Sequence, residues 1–98
     1  MIRSKKITQS ARDEDCAMQS PDCEFKSDTV RWCHSNYGTD GKGTGIKSHD
    51  VFGFYGCDKC ETWYSNISSN DQDRYWYFHR ALKRSWLRLI EKGIITIK

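Results

Sequence analysis

At 98 residues the chain has room for one domain and a modest core, and with 30% charged against 37% hydrophobic residues it is too polar to rest on apolar burial alone. The net charge of +3 permits contact with a polyanion without demanding it. No apolar run approaches the length of a membrane span, and none of secretory length follows the basic start Arg3-Ser4-Lys5-Lys6, so the expectation is a cytosolic protein with no membrane partner. In that compartment thiols stay reduced, and five cysteines, an odd number, argue for metal ligands over a disulfide framework or unconnected buried thiols. A structural zinc, worth roughly 10 kcal/mol or more of apparent folding free energy, is the natural support for so small a core.

Residues 1–15 are charged and polar, with only Ile2, Ile7 and Ala11 apolar, and are expected to form a loose, solvated arm or one short helix at most. Cys16 and Cys23 follow, separated by more residues than paired zinc ligands usually are, but Pro21-Asp22 marks a turn that draws the two sulfurs together. Thr29 to Cys33 is rich in β-branched and aromatic residues and reads as a strand delivering His34 at its end. Tyr37 to Lys47 holds four glycines, at 38, 41, 43 and 45, and must be a loop. Val51 to Tyr55 is the second strand, antiparallel to the first if the loop simply turns the chain back. It runs straight into Cys57-Asp58-Lys59-Cys60, where two thiolates in one tight turn close on a single tetrahedral metal, with Glu61 to Ser65 beginning a helix.

Residues 70–98 read as an amphipathic helix and a short strand. Asn70 or a neighbouring Ser caps the helix, and Asp71 and Asp73 suit its first turn. Its apolar stripe is Tyr75, Phe78, Leu82, Trp86 and Leu89, widened by Trp76, Leu87 and Ile90, with Arg74, Arg80, Lys83, Arg84 and Arg88 as a flanking basic face. Gly93 ends the helix, and Ile94 to Ile97 reads as a terminal strand completing a small sheet. Trp32, Phe52, Phe54, Trp76 and Trp86 are the expected aromatic core.

The order is therefore a hairpin, then a helix, with His34 on the first strand and an oxygen ligand near the helix start. That ββα arrangement supports metal-dependent phosphodiester hydrolysis. A neutral imidazole takes a proton from water near neutral pH, while a divalent cation stabilises charge on the phosphate and the leaving oxygen. His34 is the candidate base, and Asp50 and Glu61 are candidates to orient it or to hold the metal. Cys33 beside His34 points to the opposite face of the strand, so it is expected to be an inert thiol, not a nucleophile.

These elements resemble the small prophage nuclease-domain proteins of the YbcO type, in the HNH or His-Me finger group. The matching residues are Lys5-Lys6-Ile7-Thr8-Gln9-Ser10-Ala11-Arg12 before Cys16, the Pro21-Asp22-Cys23 turn, Thr29 shortly before His34, and Gly41-Lys42-Gly43-Thr44-Gly45-Ile46-Lys47. Asp50, Cys57-Asp58-Lys59-Cys60 and the tail from Trp86 to Ile95 continue the likeness. The resemblance implies a treble-clef-like α+β fold over residues 1–98, a Cys16, Cys23, Cys57, Cys60 zinc site, and His34 acting on DNA with Mg²⁺ or Mn²⁺. One departure matters. The family continues Cys-x-x-Cys-His, and this chain has Glu61 at that position, an oxygen donor suited to Mg²⁺ or Mn²⁺. His49 is a substitute ligand only if strand alternation does not turn it away from Asp50.

The expectation is thus a phage-type, zinc-stabilised DNA endonuclease in the host cytoplasm. Lys42, Lys47, Arg80, Lys83 and Arg84 are its candidate phosphate contacts. The alternative is a catalytically silent zinc module that binds nucleic acid or a host protein, including as an inhibitor of host defence.

Overall fold

A computed structural model describes all of residues 1–98. It is a small α+β structure of three α-helices and one two-stranded antiparallel sheet. Helix α1 (Lys5–Gln9) is followed by a long cysteine-bearing loop, then β1 (Arg31–His34), the glycine-rich loop, β2 (Gly53–Gly56), α2 (Asp58–Asn66) and α3 (Gln72–Glu91). No helix is long and apolar enough to cross a membrane.

The sheet pairs Arg31 with Gly56, Trp32 with Tyr55, Cys33 with Phe54 and His34 with Gly53. Gly53 is required by this register: a Cβ there would lie 2.5 Å from Trp32 Nε1 and 2.6 Å from the Cys33 carbonyl. With that space open, the Trp32 indole N–H donates to the Asp50 carbonyl at 2.8 Å and fixes the chain just before β2. The second strand is accordingly shorter than Val51 to Tyr55. Asp50 and Val51 lie in a turn, so strand alternation does not govern the faces of His49 and Asp50.

The core is aromatic. Phe54 and Tyr55 on β2 are fully buried, and Phe54 meets Tyr64 of α2 and Phe78 of α3 edge-on at 5.4 and 5.9 Å. Tyr64 and Phe78 stack almost parallel at 5.6 Å, which locks α2 against α3. Tyr55 turns its outward backbone groups to two other elements. Its N–H donates to Ser85 Oγ of α3 at 3.0 Å, and its carbonyl accepts from Ala17 N–H at 2.8 Å.

Helix α3 is capped by Asp71, whose carboxylate accepts from the Arg74 N–H at 2.9 Å, rather than by Asn70. Its buried line is Arg74, Phe78, Ala81, Ser85 and Leu89. Tyr75, Trp76 and Leu87 fall off that line and stand more than half exposed, so the broad stripe read from hydrophobicity is too wide, and Trp76 is not core. Arg74, expected on the solvated face, is buried with its guanidinium over the rings of Tyr64 and Tyr37 at 4.3 and 4.8 Å. Gly93 takes φ +73 and ends the helix as expected. Ile94 to Ile97 forms no strand: the N–H groups of Ile94 and Ile95 turn back to the Leu89 carbonyl at 3.0 and 3.3 Å.

Of the two forms expected for the first residues, a loose arm or one short helix, the structure has the helix, and it is tied down. Ser4 caps α1, Ile7 and Ala11 are buried, and the Asp50 N–H donates to the Ile2 carbonyl at 2.9 Å. Ile2 N–H in turn donates to His49 Nδ1 at 2.9 Å.

Candidate functional site

Cys57 closes β2 in extended backbone (φ −72, ψ 168) and Cys60 sits in the first turn of α2, so the strand-to-helix junction presents both sulfurs to one point. Cys16 and Cys23 reach the same point from the loop after α1. All four Sγ atoms lie within 4.8 Å of one another, with Cys16 to Cys60 at 3.5 Å and Cys23 to Cys57 at 3.8 Å. Zn–S bonds of about 2.3 Å in a tetrahedron require sulfurs about 3.8 Å apart, so the set fits zinc. Backbone donors meet the sulfurs: the Cys57 N–H reaches Cys16, the Ser20 N–H reaches Cys60 and the Phe25 N–H reaches Cys23, each at 3.4 Å. Such donors favour thiolates. The bond from Cys60 lowers the Cys16 thiol to about 4, while the same shared proton raises Cys60. Desolvation pushes Cys23 up to about 11. Four sulfurs leave no open position, which makes this a structural site.

Loop carbonyls around the knuckle are held by α3. Arg80 donates to the Met18 carbonyl at 2.7 Å and to the Gln19 carbonyl at 3.3 Å, and Arg84 to the Ala17 carbonyl at 3.2 Å. Two of the expected phosphate contacts are therefore engaged in bracing the cysteine-bearing loop, and Lys83 is exposed.

His34, at the end of β1, and Asp50 are brought together. His34 Nε2 lies 2.7 Å from Asp50 Oδ1. An ionised carboxylate only accepts, so Nε2 carries the proton and Nδ1 is the basic nitrogen of the neutral ring. Burial alone would raise the Asp50 carboxyl. Hydrogen bonds from His34, from the Ser4 N–H (2.6 Å to Oδ2) and from Arg3 (3.2 Å to Oδ1) outweigh it and hold the carboxyl below its ordinary range. Every partner of the Asp50 side chain is thus a donor, with the His34 ring among them. The residues that sequence reasoning missed here are Arg3 and Ser4, because nothing in a basic, polar start signals a contact to residue 50.

His34 opens onto a cleft of about 640 Å³ that also exposes Glu61, Arg31, Lys42 and Lys47. Two of the five expected phosphate contacts, Lys42 and Lys47, therefore stand where the candidate base does. Glu61 comes from α2 and pairs with Arg31 at 3.8 Å, half-exposed on both sides. The four cysteines are the one grouping of metal-ligating side chains; His34, Asp50 and Glu61 do not converge on a second. His49 is turned to the chain start by its contact with Ile2 and plays no part in the cleft. Cys33 is buried, and burial first, then nearby Glu61, pushes its thiol well above the usual range, as suits an inert thiol.

No known family profile matches the chain. No curated protein matches it either. Among solved structures the chain is similar to that of a protein attributed to a bacteriophage, from Escherichia coli strain K-12 substrain MG1655. The match covers 88% of this chain and 98% of that one, with a TM-score of 0.66 and 15% sequence identity, which makes it a likeness of fold.

Proposed function

We propose that the chain is a metal-assisted nucleic-acid phosphodiesterase domain of the HNH type, acting on DNA and held together by zinc on Cys16, Cys23, Cys57 and Cys60. The observation that carries this reading is the His34–Asp50 pair, 2.7 Å apart, opening onto a cleft that also carries Lys42, Lys47 and Arg31. The fold shared with a protein attributed to a bacteriophage is in keeping with it.

In this reading Lys42 and Lys47 draw the phosphate into the cleft and Arg31 steadies it. His34 Nδ1 takes the proton from the attacking water, and Asp50 stabilises the imidazolium that results. Glu61 is the carboxylate on the cleft wall, and it would leave Arg31 to hold Mg²⁺ or Mn²⁺ arriving with the substrate. Bound there, the cation supplies charge neutralisation on the phosphate and the leaving oxygen. The test is cleavage of single-stranded, duplex and branched DNA with either metal, beside His34→Ala at equal zinc content. Cleavage lost in the variant supports the proposal; no cleavage on any substrate by folded, zinc-loaded protein refutes it.

A second reading has its own observation. Asp50 is fully engaged by donors and Glu61 is paired with Arg31, the arrangement expected of a silent module that binds nucleic acid or a host protein through the same cleft. DNA retained by the protein with no cleavage would favour it, and Lys42→Ala with Lys47→Ala would then abolish retention.

A further inference from the structure

We infer that Arg3 is a positioning residue for His34, acting through Asp50, and that the first four residues are a strap completing the site. The inference rests on the proposed role of His34 as base, but its evidence is geometric. Three of these residues converge on the 47–50 segment. Arg3 donates to the carbonyls of Ser48 and, at 2.9 Å, Lys47, and reaches Asp50 Oδ1 at 3.2 Å. The Ser4 N–H takes the other carboxylate oxygen at 2.6 Å. The Ile2 carbonyl accepts from the Asp50 N–H, and the Ile2 N–H donates to the His49 ring at Nδ1.

A strap that only closed the fold would need none of its charge aimed at Asp50. Here the guanidinium and the imidazole share a single oxygen, Oδ1. Arg3 therefore sets how much of the Asp50 charge His34 feels. With Arg3 present, Asp50 holds the ring through Nε2 while much of its negative charge is already balanced by the guanidinium. The two donors stand no more than about 6 Å apart, the sum of their contacts to Oδ1. At that separation one positive charge depresses the protonation of the other by roughly half a pH unit in a water-like dielectric and by about two units at an effective dielectric of 20. Arg3 is 43% exposed, which favours the lower end. The other charges facing His34 are Glu61 from α2, Arg31 from its own strand, and Lys42 and Lys47 from the glycine loop, all left unchanged by a substitution at position 3.

The experiment is an NMR titration of the imidazoles in zinc-loaded full chain, tagged only at the C-terminus, for the native protein, Arg3→Gln and Arg3→Lys. The chain has three histidines, and the His34 signal is the one missing in His34→Ala. The expected result is a His34 midpoint raised by about half a unit or more in Arg3→Gln, restored toward native in Arg3→Lys, with His79 unmoved. A His34 midpoint unchanged in folded Arg3→Gln overturns the inference and leaves Arg3 a structural clamp. Should Arg3→Gln fail to fold, Arg3→Met, equally uncharged and of similar reach, is read in its place: a His34 midpoint raised by about half a unit or more supports the role, and an unchanged one refutes it. No DNA enters the titration, so a shifted midpoint without any nuclease activity would keep this inference and sink the proposed reaction.

Discussion

Removing a metal bound by the four cysteines should strongly destabilise the chain, and the size of the effect follows from where the cysteines lie. The contact between Cys16 and Cys60 closes 44 residues and that between Cys23 and Cys57 closes 34 inside it. Treated as cross-links, loops of these lengths each remove about 4 kcal/mol of chain entropy from the unfolded state. Nested loops are not independent, so the clamp is worth about 4 to 8 kcal/mol. Small domains have about 5–15 kcal/mol in total, and only 23 of the 98 residues here are buried. For a domain of this length each kcal/mol moves the melting temperature by about 4–8 °C, so metal-free protein should melt at least roughly 15 °C lower, or show no cooperative transition. The assay is far-UV circular dichroism melting in reducing buffer at pH 7, before and after chelation, with metal content measured on the same samples and zinc added back. Metal-free protein melting within about 5 °C of the loaded form would refute the reasoning and make the four thiols passengers of a core that stands alone.

Other outcomes follow from single contacts. Ser85→Ala strips the partner from the buried Tyr55 N–H and should cost about 1–3 kcal/mol by urea titration; a loss below about 0.5 kcal/mol would mean that N–H finds water or another acceptor. Gly53→Ala forces a methyl to within 2.5 Å of the Trp32 indole, so it should destabilise by about 3 kcal/mol or more and shift the His34 resonances, because Trp32 anchors the Asp50 backbone; wild-type stability would contradict the register. The Asp50 carboxyl lies below its ordinary range in the folded protein, so its contribution to stability is complete above the unfolded value near 3.8 and is lost as pH falls through the lower folded value. Asp50→Asn should accordingly flatten the acid limb of a stability-against-pH curve, and an unaltered acid limb would deny that its bonds favour the charged form. Arg80→Ala should cost about 1 kcal/mol or more and speed zinc transfer to a chelator by loosening the Met18 and Gln19 carbonyls; an unchanged transfer rate would remove Arg80 from the brace.

What could be read beforehand was local. The Cys57-Cys60 spacing, the strand carrying His34 and the long helix ending at Gly93 all announce themselves within a few residues. Pairing Cys16 and Cys23 with them needed only the assumption that four thiols in a small chain meet. The failures are tertiary. Ile94 to Ile97 has strand composition but no neighbouring strand to join, and its backbone is claimed by the helix end. Trp76 is apolar and on the right helix, yet sits off the line that meets β2. The basic residues looked alike in sequence. Contacts more than forty positions distant separate Arg3 on Asp50 and Arg80 on the metal loop from Lys42 and Lys47 on the cleft.

The two outward bonds of Tyr55, to Ser85 and to Ala17, carry a consequence for solubility. A two-stranded sheet offers a row of unpaired backbone groups along each side, a template on which a second chain can add a strand. On the β2 side, α3 supplies the acceptor, and the residue directly after Cys16 supplies the donor. Loss of a metal from the four cysteines would free that loop, uncover the Tyr55 carbonyl and leave the apolar Phe54-Tyr55 pair beside it. A metal held there would therefore also guard against self-association, and metal-starved protein should accumulate as strand-paired aggregates before it accumulates as unfolded monomer, as sedimentation of chelated samples would show.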